Sequence, residues 1–178
     1  MKRVLILLCV AIVISGCSTM TPARYSVSMD NNQALKHYEG AKIQLSSLSS
    51  PADYSSNCRM MGPIKASDGM TIPQFVQKAF NDEFKFAGIY SENGAVLTGT
   101  LTKIEFSSMS GITGGWWDLG LTLASSNGRS MVIETHYPFE SGFDGITACN
   151  QTAQALGPAV QDLIKSAVSN VQFAALVR

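Results

Sequence analysis

The stretch from Trp116 to Glu140 constrains this chain more than any other. Trp117, Leu119, Leu121 and Leu123 alternate with small or polar residues, and Met131, Ile133, Thr135, Tyr137 and Phe139 resume that alternation after Ser126-Asn127-Gly128-Arg129. A period of two puts one set of side chains on one face of a strand. Asn-Gly accepts the positive φ angles of a type I′ turn. The chain therefore contains an antiparallel hairpin with one dry face and one wet face, and the dry face needs a cover. Pro138 cannot donate to a sheet ladder, so the second strand ends there or lies at an edge.

The rest of the sequence supplies the cover. Phe75, Val76, Ala79, Phe80, Phe84 and Ala87 recur at three- and four-residue spacing, the stripe of a core-facing helix. Thr71 suits its N-cap, Pro73 its first turn and Gly88 its C-terminal stop. A second helix is expected from about Ile146 to Val171, bent or split at Gly157-Pro158. Before the first helix, Ile43, Leu45 and Ser47 mark a strand from Ala41 to Leu48. After it, Leu97, Gly99 and Leu101 give way to Ile104 and Phe106, a one-residue change of phase that a β-bulge near Thr102-Lys103 would produce. Ser107 to Gly115 reads as a mobile loop rich in Ser and Gly. The order is β-α-β-β-β-α: a single α+β domain, an antiparallel-rich sheet with two helices packed on one face.

The charge balance excludes one class of partner. The chain has 13 basic and 13 acidic residues, and losing Lys2 and Arg3 with a leader would leave it slightly acidic. Nothing here attracts nucleic acid. Four cysteines remain to be placed. Cys9 falls in the leader and Cys17 at its end, which leaves Cys58 and Cys149. In an oxidising compartment one such pair reads as a disulfide; two free thiols or a metal site are the alternatives. A metal site is disfavoured, since neither His37 nor His136 stands at ligand spacing from a cysteine. Topology favours the bridge. A right-handed crossover makes the second strand parallel to the first, and two hairpins return the fourth in the same direction. Cys58 and Cys149 then meet at one edge, where a bridge over so long a loop contributes on the order of 4 kcal/mol, less any native strain. The loop from Ser49 to Thr71 is too long to be left unpinned.

The N-terminus fixes the compartment. Met1-Lys2-Arg3 is basic, Val4 to Ile14 is apolar, and Ser15-Gly16 are small, the three parts of a secretory signal. The apolar run falls short of the ~20 residues that span a bilayer. Val13-Ile14-Ser15-Gly16-Cys17 resembles the lipobox of bacterial lipoproteins. That resemblance implies cleavage before Cys17 of a signal peptide covering residues 1–16. It also implies a mature N-terminus held on Cys17 by several acyl chains, palmitate among them. More than one chain is what stable attachment requires. Ser18, by the enterobacterial sorting rule, places the protein at the outer membrane facing the periplasm rather than at the inner membrane. Residues 17–37 read as a lipidated, flexible tether and residues 38–178 as the periplasmic domain.

From Ile72 to Val171 the pattern is similar to YajG-type small outer-membrane lipoproteins, whose domain shares its layout with the TolB N-terminal and CsgG-like group. The matching segments are FVQKAFNDEFKFAG, AVLTGTLTKIEF, WWDLGLTLASSNGRSMVIETHYPFE and ACNQTAQALGPAVQDLIKSAVSNV. Cys58, Cys149 and the long loop around Cys58 depart from that pattern. The resemblance implies a fold and an envelope location, and fold alone transfers no function.

No catalytic motif is present: there is no Gly-x-Ser-x-Gly, His-Glu-x-x-His, phosphate-binding glycine loop or Cys-x-x-Cys. No cofactor or catalytic metal is expected, and the protein reads as a non-enzyme. Ser107, His136 and Asp118 are the nearest approach to a nucleophile–base set, and His136 reads better as a solvated surface residue. Two features suit recognition instead. Alternation sends Trp117 inward and Trp116 outward, and exposed tryptophans are frequent in binding hot spots. Arg59, Met60 and Met61 form a second candidate, because methionines make adaptable binding surfaces. The expectation is an accessory lipoprotein that binds an envelope protein. The alternative is a binder of peptidoglycan or another glycan through Trp116 and the Gly-rich loop.

Overall fold

A computed structural model describes residues 20–178. The leader 1–16, Cys17 and their expected processing lie outside the described residues. The order of elements is α1 (Met29–Leu35), a 3₁₀ turn (Lys36–Tyr38), β1 (Ile43–Ser49), a 3₁₀ turn (Ser67–Gly69), α2 (Ile72–Phe86), β2 (Ala95–Ser110), β3 (Gly114–Ser125), β4 (Ser130–Glu140), α3 (Gly145–Val168) and α4 (Phe173–Leu176). This is the expected α+β class. One four-stranded mixed sheet runs β1-β2-β3-β4, with β1 parallel to β2 and the other neighbours antiparallel.

Each strand keeps its apolar side inward. Leu45, Leu97, Leu101, Ile104, Trp117, Leu119, Leu121, Leu123, Met131 and Ile133 are all buried beneath α2 and α3. The register of β2 against β3 slips between Leu101 and Lys103. That bulge returns Ile104 and Phe106 to the inner side. β1 bulges as well, between Leu45 and Ser47, so Leu48 and not Ser47 resumes the inward phase, seated over Gly99. The outer edge of β1 is closed by α2. Asn81 accepts from Leu45 N and donates to Leu45 O, both at 2.9 Å, and Gln77 donates to Ser46 O at 2.8 Å. Side chains thus take the place of a neighbouring strand and blunt an exposed edge. At the other edge, β4 carries Pro138.

Helix α2 begins with a full capping box, Thr71 and Gln74 each satisfying the other's backbone N–H, with Pro73 in the first turn. Gly88 follows its end at φ 75°. Cys58 and Cys149 are bonded, with Cα atoms 5.8 Å apart.

Five readings of the sequence are corrected. The expected tether is part of the domain from Met20 onward. Met20, Ala23 and Leu35 join the core, and Ala23 pairs with Ala66 as a short parallel bridge. The cause is Glu83, which sits at a core-facing position of α2. Its Oε1 accepts from Tyr25 Oη at 2.6 Å, Ser28 N at 2.8 Å and Asn31 Nδ2 at 3.2 Å. A buried carboxyl group requires such partners, and residues 25–31 provide three donors to Oε1, while Oε2 has no hydrogen-bond partner.

The second correction concerns α3, which runs unbroken through Gly157-Pro158 and ends at Val168. Val171 is exposed, and the chain turns there so that Phe173 and Leu176 fill the core instead. The β3–β4 turn is a three-residue loop and not type I′. Gly128 N bonds to Ser125 O, Ser125 N bonds to Arg129 O, and of the two central residues only Gly128 has a positive φ, 83°. A type I turn followed by a left-handed glycine is the other common hairpin connection. Nor is 107–115 a loop, since β2 continues to Ser110 and β3 starts at Gly114. Finally, Ser47 is exposed, for the reason given above.

Candidate functional site

The side of the sheet away from the helices carries the polar chemistry. Its orientation is set by Trp117, whose indole N–H donates to Thr152 O of α3 at 2.9 Å and whose ring packs on Phe106 with centroids 4.7 Å apart. With Trp117 locked inward, alternation turns Trp116 outward. Trp116 is half-buried: it lies opposite Pro138 in the register, and its ring centroid is 5.8 Å from that of His136.

Next to Trp116 a charge row crosses three strands. Lys103 Nζ donates to Asp118 Oδ2 at 2.7 Å, and His136 Nδ1 donates to Asp118 Oδ1 at 2.5 Å. Burial pushes the Asp118 carboxyl up, but the hydrogen bonds from Lys103 and His136 outweigh it and hold the group below the usual carboxylate range. The hydrogen bond to Asp118 in turn holds the Lys103 ammonium above its ordinary value. The structure brings Asp118 and His136 together but leaves Ser107 out, because its hydroxyl donates to Met109 O at 2.6 Å. Both Asp118 oxygens are engaged, and Glu105 Oε2 lies 3.6 Å from Lys103 Nζ, so one ammonium serves two carboxylates.

Trp116 also walls a cleft of about 360 Å³, with Ser55, Asn57, Ile104, Glu105 and Phe106 around it. The cleft opens where β1 has ended: β1 pairs with β2 only as far as Thr100, while β2 runs on to Ser110. The arm of the Cys58 loop thus meets the Trp116 face, a juxtaposition that sequence separation does not reveal.

The three other candidate residues part company. Arg59 takes a left-handed conformation (φ 51°) in a tight turn closed by Met61 N bonding to Cys58 O at 3.0 Å. Its guanidinium is committed inward, with Nε donating to Ser108 Oγ at 3.0 Å and Nη2 to Ser108 O at 3.2 Å. Met61 packs against the core, and Met60 at the tip of the turn is fully exposed. Sequence reasoning missed the cluster of Tyr25, Asn31 and Glu83. Its one legible sign is an acid at a core-facing helical position. It also missed Phe143, an aromatic that fits no strand or helix phase.

Among the described residues no group of three or more His, Cys, Asp or Glu could hold a metal ion, and no helix is long and apolar enough to cross a membrane.

The arrangement defines an α+β domain with a helix-covered sheet and an open polar face. No family model matches the sequence, and no curated protein matches it. Among solved structures the fold is similar to a Xanthomonas campestris protein of the DUF330 family, at 15% identity and TM-score 0.45, covering 70% of this chain and 82% of that one. It is similar to a minor lipoprotein from Acinetobacter baumannii, at 12% identity and TM-score 0.43, covering 76% of this chain and 93% of that one. A third is PelC from Paraburkholderia phytofirmans, solved as a dodecamer, at 11% identity and TM-score 0.34, covering 80% of this chain and 92% of that one. Likenesses at these scores assign no function.

Proposed function

We propose that this protein is a lipid-anchored lipoprotein of the cell envelope, attached through Cys17 to the periplasmic side of the outer membrane. It acts as a non-enzymatic accessory subunit that binds another envelope protein through the open face of its sheet. The Cys17 lipobox supports the anchor. The observation that carries the binding role is the placement of Trp116, held outward by the locking of Trp117 and set between the Lys103–Asp118–His136 row and a cleft. A tryptophan so positioned gives a partner a large rigid contact at little entropic cost.

One observation favours a second reading. The cleft beside Trp116 combines an aromatic wall with the side chains of Ser55, Asn57 and Glu105, a set that also suits the apolar face and hydroxyls of a sugar. The experiment is in-cell crosslinking with a photoreactive residue in place of Trp116. Recovery of one envelope protein supports the accessory role. A glycan adduct transfers the assignment to peptidoglycan or polysaccharide binding, and no adduct sinks both.

A further inference from the structure

Three connections, the end of β2 and the first turn of α3 meet at one end of the molecule and carry a concentration of bare apolar side chains. Met60 is 100% exposed, Phe143 83%, Ile112 78%, Met109 64% and Ile146 51%. They are held as one surface. Arg59 binds Ser108, Ser141 Oγ donates to Ser108 O at 2.7 Å, Ser141 N donates to Thr113 O at 2.6 Å, and the Cys58–Cys149 bond ties the Met60 turn to α3. Large exposed apolar side chains whose segments are tied together at one end of a protein mark a contact surface.

The occupant is indicated by where the described chain begins. Thr21 N donates to Asn150 Oδ1 at 3.0 Å. Asn150 stands one helical turn beyond Ile146, so the two share a face of α3. Cys17 is four residues before Thr21, a fully extended reach of about 14 Å. The chain therefore leaves the domain beside the apolar surface, and residues 20–38 are packed down and add no slack.

We propose that this end of the domain, built on Met60, Met109, Ile112, Phe143 and Ile146, lies against the bilayer that holds the Cys17 acyl chains, with these side chains in the headgroup–acyl boundary. The inference rests on lipidation of Cys17. It deepens the proposed function, because it assigns Met60 to lipid and leaves the Trp116 face for the partner. The acyl anchor keeps the surface at high local concentration, so no separate affinity for anionic headgroups is needed.

The test uses the full chain in cells, with p-benzoylphenylalanine in place of Phe143, of Ile112 or, as the control, of Phe86. Phe86 is also exposed, but it ends α2 at the opposite pole, close to where β1 begins. After illumination, mass spectrometry reads both the adduct and the N-terminal peptide. Phospholipid adducts at 143 and 112, without them at 86, are expected. Protein adducts or no adduct at the two apolar sites, with acyl chains present on Cys17, would overturn the bilayer surface alone. An N-terminal peptide without acyl chains would overturn the anchor itself.

Discussion

A Cβ on residue 157 would lie 2.9 Å from the carbonyl oxygen of Arg24. Gly157 is therefore a crossing point, where the N-terminal strap passes directly over α3, and its absent side chain is the reason it can. Glycine normally costs a helix about 1 kcal/mol relative to alanine, so Gly157→Ala would be stabilising if propensity decided. The close approach decides instead, because the obstructing atom is backbone and cannot swing aside. We expect Gly157→Ala to lower stability by about 1–3 kcal/mol, the usual range for overpacking. Chemical denaturation of the purified domain checks this, and a more stable variant would show that the strap is loosely held.

The same strap is pinned by Tyr25 on Glu83, and that contact gives stability a dependence on pH. Burial first, then the hydrogen bond and charge of Glu83, raise the Tyr25 phenol far above its ordinary value of 10.0. A group raised on folding contributes stability that is fully present below its unfolded value and is lost as pH climbs toward the folded one. Above about pH 10 the unfolded chain gives up this proton while the folded chain keeps it, so stability falls. Tyr25→Phe should cost about 1–3 kcal/mol at neutral pH by removing one of the three hydrogen bonds to the buried Glu83 Oε1. It should also flatten the alkaline fall. Unfolding free energies measured on both sides of pH 10 test both effects, and an unchanged alkaline slope would refute the linkage.

Asp118 shows the opposite sign on a smaller scale. Its carboxyl is held below the ordinary 3.8, so its contribution is present above that value and disappears as pH falls through the folded one. Lys103 and His136 are well exposed, however, with side chains 39% and 60% accessible, and water screens such pairs. Asp118→Asn should therefore cost no more than about 1 kcal/mol and shorten the acid limb of the stability curve. A larger loss in acid titration of the variant would mean that the row carries structure.

These three sites differ in how much of them the sequence made legible. The bulge near Thr102 could be read because two phases of one alternation leave only one way to reconcile them. Trp116 and Trp117 sort for the same reason. Gly157-Pro158 could not be read locally. A glycine that breaks a helix and one that admits a crossing chain look alike until the crossing chain is known. Residues 20–37 are legible only with their partner in view: Tyr25, Ser28 and Asn31 interrupt any apolar period because they serve Glu83, more than fifty residues away in sequence. The hairpin was legible as a hairpin but not in its turn, since Asn-Gly fits both the two-residue loop and the three-residue loop found here. Composition likewise said nothing of the apolar end, which gathers single residues from three connections, the end of β2 and the start of α3.

The disulfide joins that end to the core and is the feature whose loss should reach furthest. Cys58 and Cys149, the latter in α3, are 91 residues apart in sequence, and both are buried. Restricting so long a loop in the unfolded chain is where most of the stabilisation arises in the entropy model, and removing such bonds typically costs about 2–5 kcal/mol. The paired variant Cys58→Ser with Cys149→Ser should fall in that range by denaturant unfolding. The loss should also be uneven. The Met60 turn has few other ties to the domain, chiefly Arg59 on Ser108, while β2 to β4 keep their ladders and Trp117 keeps its bond to Thr152. Hydrogen exchange should therefore rise first at Met61 N, which closes that turn, and stay slow at Leu121. Uniform acceleration across both would mean that the bond stabilises the fold globally and does not hold the apolar end in place.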